Sequence, residues 1–405
     1  MINGRRDEKM NTESKYTIHT FIEILLVSAK LGLTSFGGPI AHLGYFHEEY
    51  VRRRKWMDEQ SYADLVALCQ FLPGPASSQV GMGIGFARGG LIGGFLAFLG
   101  FTLPSVVALI LFALLMDGLD AANSGWIHGL KIVATAVVAH AIMGMASKLA
   151  PDLKRKAIVL LALTAALLWQ TAISQISIIL AAGIAGFVLY RNHSQEKKAP
   201  MPFPISKKTG AAALALFFGL LIILPVLREA TSLNWIAMFD SFYRSGSLVF
   251  GGGHVVLPLL EREFVPGGWL TEEAFLAGYG AAQAVPGPLF TFASYIGAVI
   301  SGWQGGLLAT AAIFLPAFLL IAGALPFWAR LRSNPKAASV LMGVNAAVVG
   351  ILIAAFYNPI WTSSILAPAD FAFASILFAM LAYWKLPPWI VVLTGAAGGA
   401  LLRLL

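Results

Sequence analysis

Charged residues are scarce in this chain. Aspartate, glutamate, lysine and arginine make up 12% of its 405 residues, while 58% are hydrophobic. Soluble globular domains carry about twice that share of charge, so the composition excludes an ordinary soluble protein. The formal net charge of +8 would suit a nucleic-acid partner. Most of the basic residues, however, lie in short loops between apolar stretches, where they act as orientation signals, and we expect no nucleic acid.

Several kinds of chemistry also lack the residues that they need. The single cysteine, Cys69, excludes an intramolecular disulfide and a cysteine metal cage. No phosphate-binding loop, catalytic triad or metal-binding spacing is found in the sequence. We therefore expect no cofactor, no metal and no enzymatic activity. We also expect no cleavable leader, because residues 1–20 are polar and the first apolar segment contains Glu23 and Lys30.

Long uncharged runs are present instead. A helix needs about 20 apolar residues to cross a bilayer core of about 30 Å. We predict an all-α polytopic membrane protein with about 9 to 13 membrane segments. The uncharged runs are 89–116, 157–190, 209–227, 274–329 and 337–369.

Helix-breaking phrases occur twice in the chain. Phe-Gly-Gly at 36–38 returns at 250–252, and Pro-Gly-Pro at 73–75 returns at 286–288. Gly93-Gly94 likewise returns as Gly305-Gly306, so that the offset drifts only from 214 to 212 and the copies form one long duplication. Broken helices in lipid are tolerated where they line a polar cavity, and duplicated breaks are typical of secondary transporters.

Basic loops set the orientation and the boundaries. The stretch 191–208 carries five basic residues against one glutamate, so we assign it as a cytoplasmic linker. If each repeat crosses the membrane an even number of times, the single helix after the linker inverts the second repeat relative to the first. The predicted parts are a cytoplasmic tail at 1–20, a first repeat at 21–190, the linker, a connecting helix at 209–227 and a second repeat at 235–405.

The Gly-Gly and Pro-Gly-Pro segments raise a conflict with charge bias. If 21–46 spanned the membrane, the basic cluster Arg52–Lys55 would lie outside while the basic N-terminus lay inside. Re-entrant hairpins over 21–46 and 60–87 keep both clusters cytoplasmic. We therefore predict two inverted-topology repeats with broken or re-entrant helices.

The tips of these hairpins are the predicted substrate site. Helix N-termini carry free N–H groups and partial positive charge, which suit an anion, and glycine lets a ligand approach the backbone. The alternative is that the glycines only permit close helix packing. The expected residues at the tips are Phe36, Gly37, Gly38, Pro73, Gly74, Pro75, Phe250, Gly251, Gly252, Gly253, Pro286, Gly287 and Pro288.

Two basic side chains approach the tips. Lys30 and Arg244 each precede the phenylalanine of a Phe-Gly-Gly phrase by six positions. A charge at that depth usually lines a cavity or pairs with another group. Arg244 has Asp240 one turn earlier, so a salt bridge is its alternative role. We predict that both Lys30 and Arg244 bind the anion.

Polar side chains complete the predicted site. The uncharged ones are Gln70, Ser77, Gln283 and Asn345. Singly, each could instead form a helix–helix hydrogen bond. Histidine titrates near neutral pH, which makes three histidines candidates for proton coupling. They are His42, His140 and His254, of which His254 follows the glycines directly and is assigned to the site.

The motifs, taken together and in order, resemble the chromate ion transporter family in its long, two-repeat form. The likeness extends from about residue 21 over nearly the whole chain. It implies a multi-pass protein of the bacterial cytoplasmic (inner) membrane that exports chromate, driven by the proton-motive force, with sulfate as a close analogue. The residues that carry it are Phe36-Gly37-Gly38-Pro39, Leu72-Pro73-Gly74-Pro75, Phe250-Gly251-Gly252-Gly253-His254, Val285-Pro286-Gly287-Pro288 and the segment 343–349.

The sequence therefore predicts a secondary transporter that exports chromate, a tetrahedral oxyanion, by alternating access and confers chromate resistance. A sulfate or related oxyanion carrier is the alternative, because both ions are tetrahedral dianions of similar size. A passive anion channel is the alternative of another class. Besides the lipid bilayer and the substrate, proton coupling and a homodimer stay open.

Overall fold

A computed structural model describes residues 17–35, 38–116, 125–169, 172–190, 205–250, 253–328 and 335–402. Within these ranges the chain is helical and contains no strand. Five of its helices are long and apolar enough to cross a membrane. The prediction of an all-α polytopic membrane protein is confirmed. The expected N-terminal tail and linker lie largely outside the described residues.

The helices occur in the same order in both halves of the chain, with one additional helix between the halves. A π-helical turn, His47–Arg53, extends the second helix, and a 3₁₀ turn, Leu289–Thr291, precedes the twelfth. The first half contains α1 (Ile18–Thr34), α2 (Gly38–Phe46), α3 (Glu59–Phe71), α4 (Ala76–Met116), α5 (Gly125–Leu149), α6 (Leu153–Leu168) and α7 (Ala172–Tyr190). Then follow α8 (Lys207–Ala230), α9 (Asn234–Leu248), α10 (Val256–Phe264), α11 (Glu272–Ala282), α12 (Phe292–Ala324), α13 (Pro335–Ala355), α14 (Pro368–Ala382) and α15 (Pro388–Leu402).

The helix α4 is a hairpin rather than one rod. Its 41 residues would span about 60 Å if straight, at 1.5 Å per residue. Gly89 and Gly90 have non-helical backbone angles, and Gly90 has a φ of +61°. A Cβ added to Gly85 would collide with the carbonyl oxygen of Gly93 and lie 2.8 Å from Cβ of Ala97. The chain therefore doubles back, and glycine is needed where the two arms touch.

The second repeat makes the same hairpin in α12. Its break lies at Ser301 and Gly302, with φ of +64° at Gly302. A Cβ on Gly297 would collide with the carbonyl oxygen of Gly305, as the equivalent pair does in the first repeat. The two repeats thus share a local fold that depends on the same duplicated glycines.

Short helices before these breaks support the re-entrant prediction. The helix α3 has 13 residues, and the arm of α4 before its break has a similar length. Each covers about 20 Å, which is short of the bilayer core of about 30 Å. Glu23 of α1 lies 3.4 Å from Arg88, at the end of the re-entrant hairpin that α3 and the first arm of α4 form. The bases of both hairpins therefore open to one face, the face at which α1 begins.

The repeats are inverted by simple parity. Between the hairpins of the first repeat and those of the second, the chain runs through the second arm of α4, then α5, α6, α7 and α8. The helices α6 and α7 form an adjacent pair and leave the parity unchanged. The remaining three are single crossings, so the hairpins of the second repeat open to the opposite face. This agrees with the predicted inverted topology.

The outer surface is apolar, as lipid contact requires. Large hydrophobic side chains remain exposed along α4, α6 and α8, since a bilayer offers no reason to bury them. Examples are Leu111, Leu115, Leu160, Leu161, Ile222 and Ile223. Polar residues lie in the interior instead, close to the broken helices. That interior is where the candidate site is found.

Candidate anion-binding site

The two Pro-Gly-Pro loops cross between the repeats and exchange equivalent hydrogen bonds. The Gly74 N–H donates to the carbonyl oxygen of Val249 at 2.7 Å, directly before the second Phe-Gly-Gly phrase. The Gly287 N–H donates to the carbonyl oxygen of Ser35 at 3.0 Å, directly before the first. A reciprocal contact between equivalent residues requires a two-fold relation between the halves. The breaks of both repeats therefore converge on one place.

Each crossing glycine packs on the long helix of the other repeat. A Cβ on Gly287 would lie 2.9 Å from Oγ of Ser105 in α4, and one on Gly74 would lie 3.3 Å from Cβ of Ala317 in α12. Both glycines also have positive φ, +112° at Gly74 and +104° at Gly287. Left-handed backbone and close approach both favour glycine here.

Because of these bonds, the N–H groups that could donate hydrogen bonds to an anion are not the ones that we expected. We expected the Pro-Gly-Pro tips to offer backbone N–H groups, but the glycine N–H groups are engaged between the repeats and proline has none. The free donors come one turn later, where α4 begins. Its first intrahelical bond runs from the Gln79 N–H to the carbonyl of Pro75 at 3.0 Å, so the preceding N–H groups of residues 76–78 have no partner inside the helix.

Buried polar side chains surround that first turn of α4. Nδ1 of His42 lies 3.3 Å from Oγ of Ser77, and the ring packs edge-on against Phe101 at 5.4 Å between centroids. His42 and Ser78 are 1% and 2% exposed. Among the described residues, Nε2 of His42 and Oγ of Ser78 are buried without a hydrogen-bond partner. Buried polar groups are normally bonded, so each such group calls for an explanation.

The second repeat has a different polar pair. Nδ1 of His254 lies 2.7 Å from the hydroxyl of Tyr279. Nε2 of Gln283, one turn further along, is buried without a partner in the described part of the chain. At the positions equivalent to His254 and Tyr279 the first repeat has Ile40 and Val66. The two repeats share their backbone breaks but carry different polar side chains.

Lys30 and Arg244 both pair with a glutamate at equivalent places. Nζ of Lys30 lies 3.5 Å from Glu49, and the Arg244 guanidinium lies 2.9 Å from Glu263. Arg244 also bonds Asp240 at 3.0 Å, which is the salt bridge weighed as its alternative role. Sequence reasoning missed Glu49 and Glu263. Their shared offset of 214 positions, the same as that of Lys30 and Arg244, was the signal that could have found them.

Each glutamate belongs to a larger ion-pair network at the base of its hairpins. In the first network, Glu49 and Glu23 bind four basic side chains, which are those of Lys30, Arg53, Arg54 and Arg88. In the second, Asp240 and Glu263 bind two, which are those of Arg228 and Arg244. We call these the basic network and the balanced network. By the parity of the fold they lie at opposite faces of the membrane.

A family model for the chromate transporter matches residues 22–187 and again 236–400. The two matches together cover more than half of the chain and coincide with its two structural repeats. The chain belongs to the chromate transporter family. No solved structure matches it.

Curated relatives align with this chain over most of its length. A probable chromate transport protein from Synechococcus elongatus is 29% identical over 413 residues, which covers 97% of this chain and 98% of the relative. A chromate transport protein from Pseudomonas aeruginosa is 29% identical and covers 91% of this chain and 89% of the relative. An uncharacterized transporter from Methanocaldococcus jannaschii is 26% identical, with 87% and 86% covered.

The remaining predicted site residues differ in burial and in their position relative to the crossing loops. Gln70 is exposed, whereas its repeat equivalent Gln283 is half-buried. Gly38 begins α2 with a φ of +77°. Phe36, Gly37, Gly251 and Gly252 lie outside the described residues. The others lie beside the crossing loops or further along the chain: Pro73, Pro75, Pro286 and Pro288 flank the crossing glycines, Gly253 begins the 3₁₀ turn before α10, Phe250 precedes it half-buried, and Asn345 is half-buried in α13.

Proposed function

We propose that the protein exports chromate across the cytoplasmic membrane by alternating access between its two repeats. The observation that carries the proposal is the reciprocal bonding of the Pro-Gly-Pro loops. It brings interrupted helices from both repeats to one buried place, which is how secondary transporters build a central substrate site. Membership of the family, and relatives named as chromate transport proteins, support chromate as the substrate.

The charge balance of the two networks supports export. The basic network holds four cations against two carboxylates, while the balanced network holds two against two. The basic network lies at the face where α1 begins, which the pattern of basic loops predicts to be cytoplasmic. A surplus of positive charge raises the local concentration of a dianion at that mouth. The balanced network at the other face offers no such retention and favours release.

The membrane potential supplies the driving force. Moving one charge through 100 mV is worth about 2.3 kcal/mol, so expelling a dianion from a negative-inside cell yields about 4.6 kcal/mol. Export therefore needs no proton coupling, whereas uptake of the same ion would need co-transported cations. Coupling to protons would add to this gradient without being required by it.

Alternating access follows from where the networks lie. The basic network joins the bases of both hairpins of the first repeat, and the balanced network joins the two arms of the first hairpin of the second repeat to α8. We expect each repeat to move as a unit about the crossing loops. Gly74 and Gly287 form the contact at the pivot, and the hairpins open to opposite faces on either side of it. Rocking of one repeat against the other around a fixed site is the movement typical of inverted repeats.

Flux measurements test the proposal. We expect inside-out proteoliposomes to accumulate labelled chromate with saturation and counterflow, and the rate to rise when the potential drives anions inward. Sulfate should be measured in parallel as the competing substrate. Flux without saturation or counterflow would indicate a passive channel. Transport of sulfate alone would contradict the assignment of chromate.

A variant of Lys30 tests the role of the basic network. Lys30 is 53% exposed and has one ion pair among the described residues, with Glu49 at 3.5 Å. Lys30→Gln should therefore lower chromate transport at low salt with little loss of folded protein. Arg52→Gln is the matched control, because within the described part of the chain Arg52 pairs only with Glu48, at the surface and at 3.6 Å. Equal effects of the two substitutions would show that Lys30 has no specific role.

A further inference from the structure

The two repeats are not equivalent at the buried turn beside the crossing loops. In the first repeat this turn of α4 carries Ser77, Ser78 and Gln79, and all three are buried. In the second, the corresponding turn contains Leu289, Phe290, Thr291 and Phe292. Two further buried positions in each repeat differ in the same direction. His42 and Thr102 in the first repeat correspond to Val256 and Phe314 in the second, and all four are buried.

The apolar version of the turn is filled and satisfied. The rings of Phe290 and Phe314 pack at 5.9 Å between centroids. The hydroxyl of Thr291 donates to the carbonyl of Pro288 at 2.7 Å, within its own turn. Val256 is fully buried. No polar atom of these residues is left without a partner in the described part of the second repeat.

The polar version is not satisfied by the protein. Among the described residues, Oγ of Ser78 and Nε2 of His42 make no hydrogen bond of normal geometry, although both side chains are at least nine-tenths buried and the backbone of Ser35 lies near the His42 ring. Leaving such groups unbonded is unfavourable, because they have lost their hydrogen bonds to water and gained none in return. When the Ser77 hydroxyl donates to Nδ1 of His42, Nε2 carries the hydrogen and is a donor. Two buried side-chain donors thus lie on or beside the turn whose N–H groups have no partner inside the helix.

We propose that a single tetrahedral oxyanion binds in the first repeat only, at the N-terminal turn of α4, where His42 and Ser78 donate to it. The matching place in the second repeat is closed by Phe290 and Phe314. The site thus lies off the two-fold axis, in a protein whose backbone is two-fold. Helix N-termini stabilise anions through their partial positive charge. This inference names the residues that hold the ion and rests on the proposed function.

Equilibrium binding of labelled chromate and of labelled sulfate to the purified full chain tests the proposal without transport. We expect one ion per chain. Ser78→Ala should weaken binding about ten-fold or more, as expected when a hydrogen bond to a charged group is lost. His42→Val, which introduces the residue of the second repeat, should weaken it similarly. Thr291→Val, the matched control at the position equivalent to Ser78, should leave affinity within about two-fold.

The outcomes separate this inference from the proposed function. Two ions per chain, or equal losses for Ser78→Ala and Thr291→Val, would overturn the single site. Chromate export unchanged by Ser78→Ala would leave the function standing and remove these residues from it. Binding of sulfate but not chromate, with the same dependence on Ser78, would support the oxyanion site and contradict chromate as the substrate. Thermal unfolding with and without ligand shows whether each variant is folded and whether the bound ion stabilises it.

Discussion

Substitution of the crossing glycines should destabilise the protein in a defined order. Gly287→Ala places a methyl group 2.9 Å from Oγ of Ser105, at a residue with a φ of +104°. Gly74→Ala places one 3.2 Å from Nε2 of Gln79, at a φ of +112°. Gly268→Ala has a φ of +71° but open space around its Cβ. It isolates backbone strain from packing.

The magnitudes follow from these contacts. A non-glycine residue with left-handed backbone costs about 1–2 kcal/mol, and that is all we expect for Gly268→Ala. Forcing an additional methyl group into a packed contact costs about 1–3 kcal/mol more. Gly287→Ala should therefore lose roughly 2–5 kcal/mol. Gly74→Ala should fall between the two, because its nearest neighbours are further away and one is a side-chain amide that can shift.

Unfolding each variant with denaturant or heat in mixed micelles measures this order of stability. Ser105→Ala in the Gly287→Ala background should recover part of the loss, since it gives the loop the alanine that Gly74 meets at Ala317. Chromate flux should fall together with stability in the two crossing variants and stay near wild type in Gly268→Ala. A loss in Gly287→Ala no larger than that in Gly268→Ala would refute the close packing of the repeats.

Three further predictions concern charge and topology. Asp240→Asn should lower the free energy of unfolding by about 3–5 kcal/mol, because Asp240 is 1% exposed and bonds two arginines. Glu48→Gln, which breaks an exposed pair, should lower it by at most about 1 kcal/mol in the same assay. Burial would raise the pKa of Asp152, but bonds from Tyr190 and Arg155 hold it well below its usual value. The ionised Asp152 carboxylate therefore stabilises the folded state above the unfolded pKa of about 3.9, and this stabilisation is lost as pH falls below that value. The stability difference between Asp152→Asn and wild type should shrink in acid. Arg52→Cys should be labelled by an impermeant thiol reagent from the cytoplasmic face only; labelling from outside would contradict the hairpins.

Much of the fold could be predicted from the sequence, because the bilayer leaves few choices. Uncharged runs must be helices, since lipid cannot satisfy open backbone. The duplicated Gly-Gly and Pro-Gly-Pro phrases predicted the breaks, and the basic cluster beginning at Arg52 predicted that the first hairpin returns to its own face. The predicted hairpin over 60–87 implied a turn near Arg88, but the sequence did not single out Gly89 and Gly90 as the break that folds α4 back on itself. There the glycines read equally well as packing positions.

The candidate site was predictable only in part. The sequence placed Gly74, Gly287, Lys30 and Arg244 near the centre, but it could not show what each one contacts. Lys30 and Arg244 are held by glutamates, and their assignment to anion binding stays a prediction. Glu49 lies in a segment that reads as a loop, so its contact with Lys30 depends on a hairpin closing.

What the sequence alone determined is the class of protein, the duplication and the positions of the helix breaks, because these depend on local composition and on the solvent. What the tertiary structure decided is which atoms the breaks bring together. The exchange of bonds between Gly74 and Val249 and between Gly287 and Ser35 joins residues far apart in the chain. So does the difference between a polar turn at Ser78 and an apolar turn at Phe290. Long-range contacts of this kind leave no local pattern, since each partner would read the same without the other.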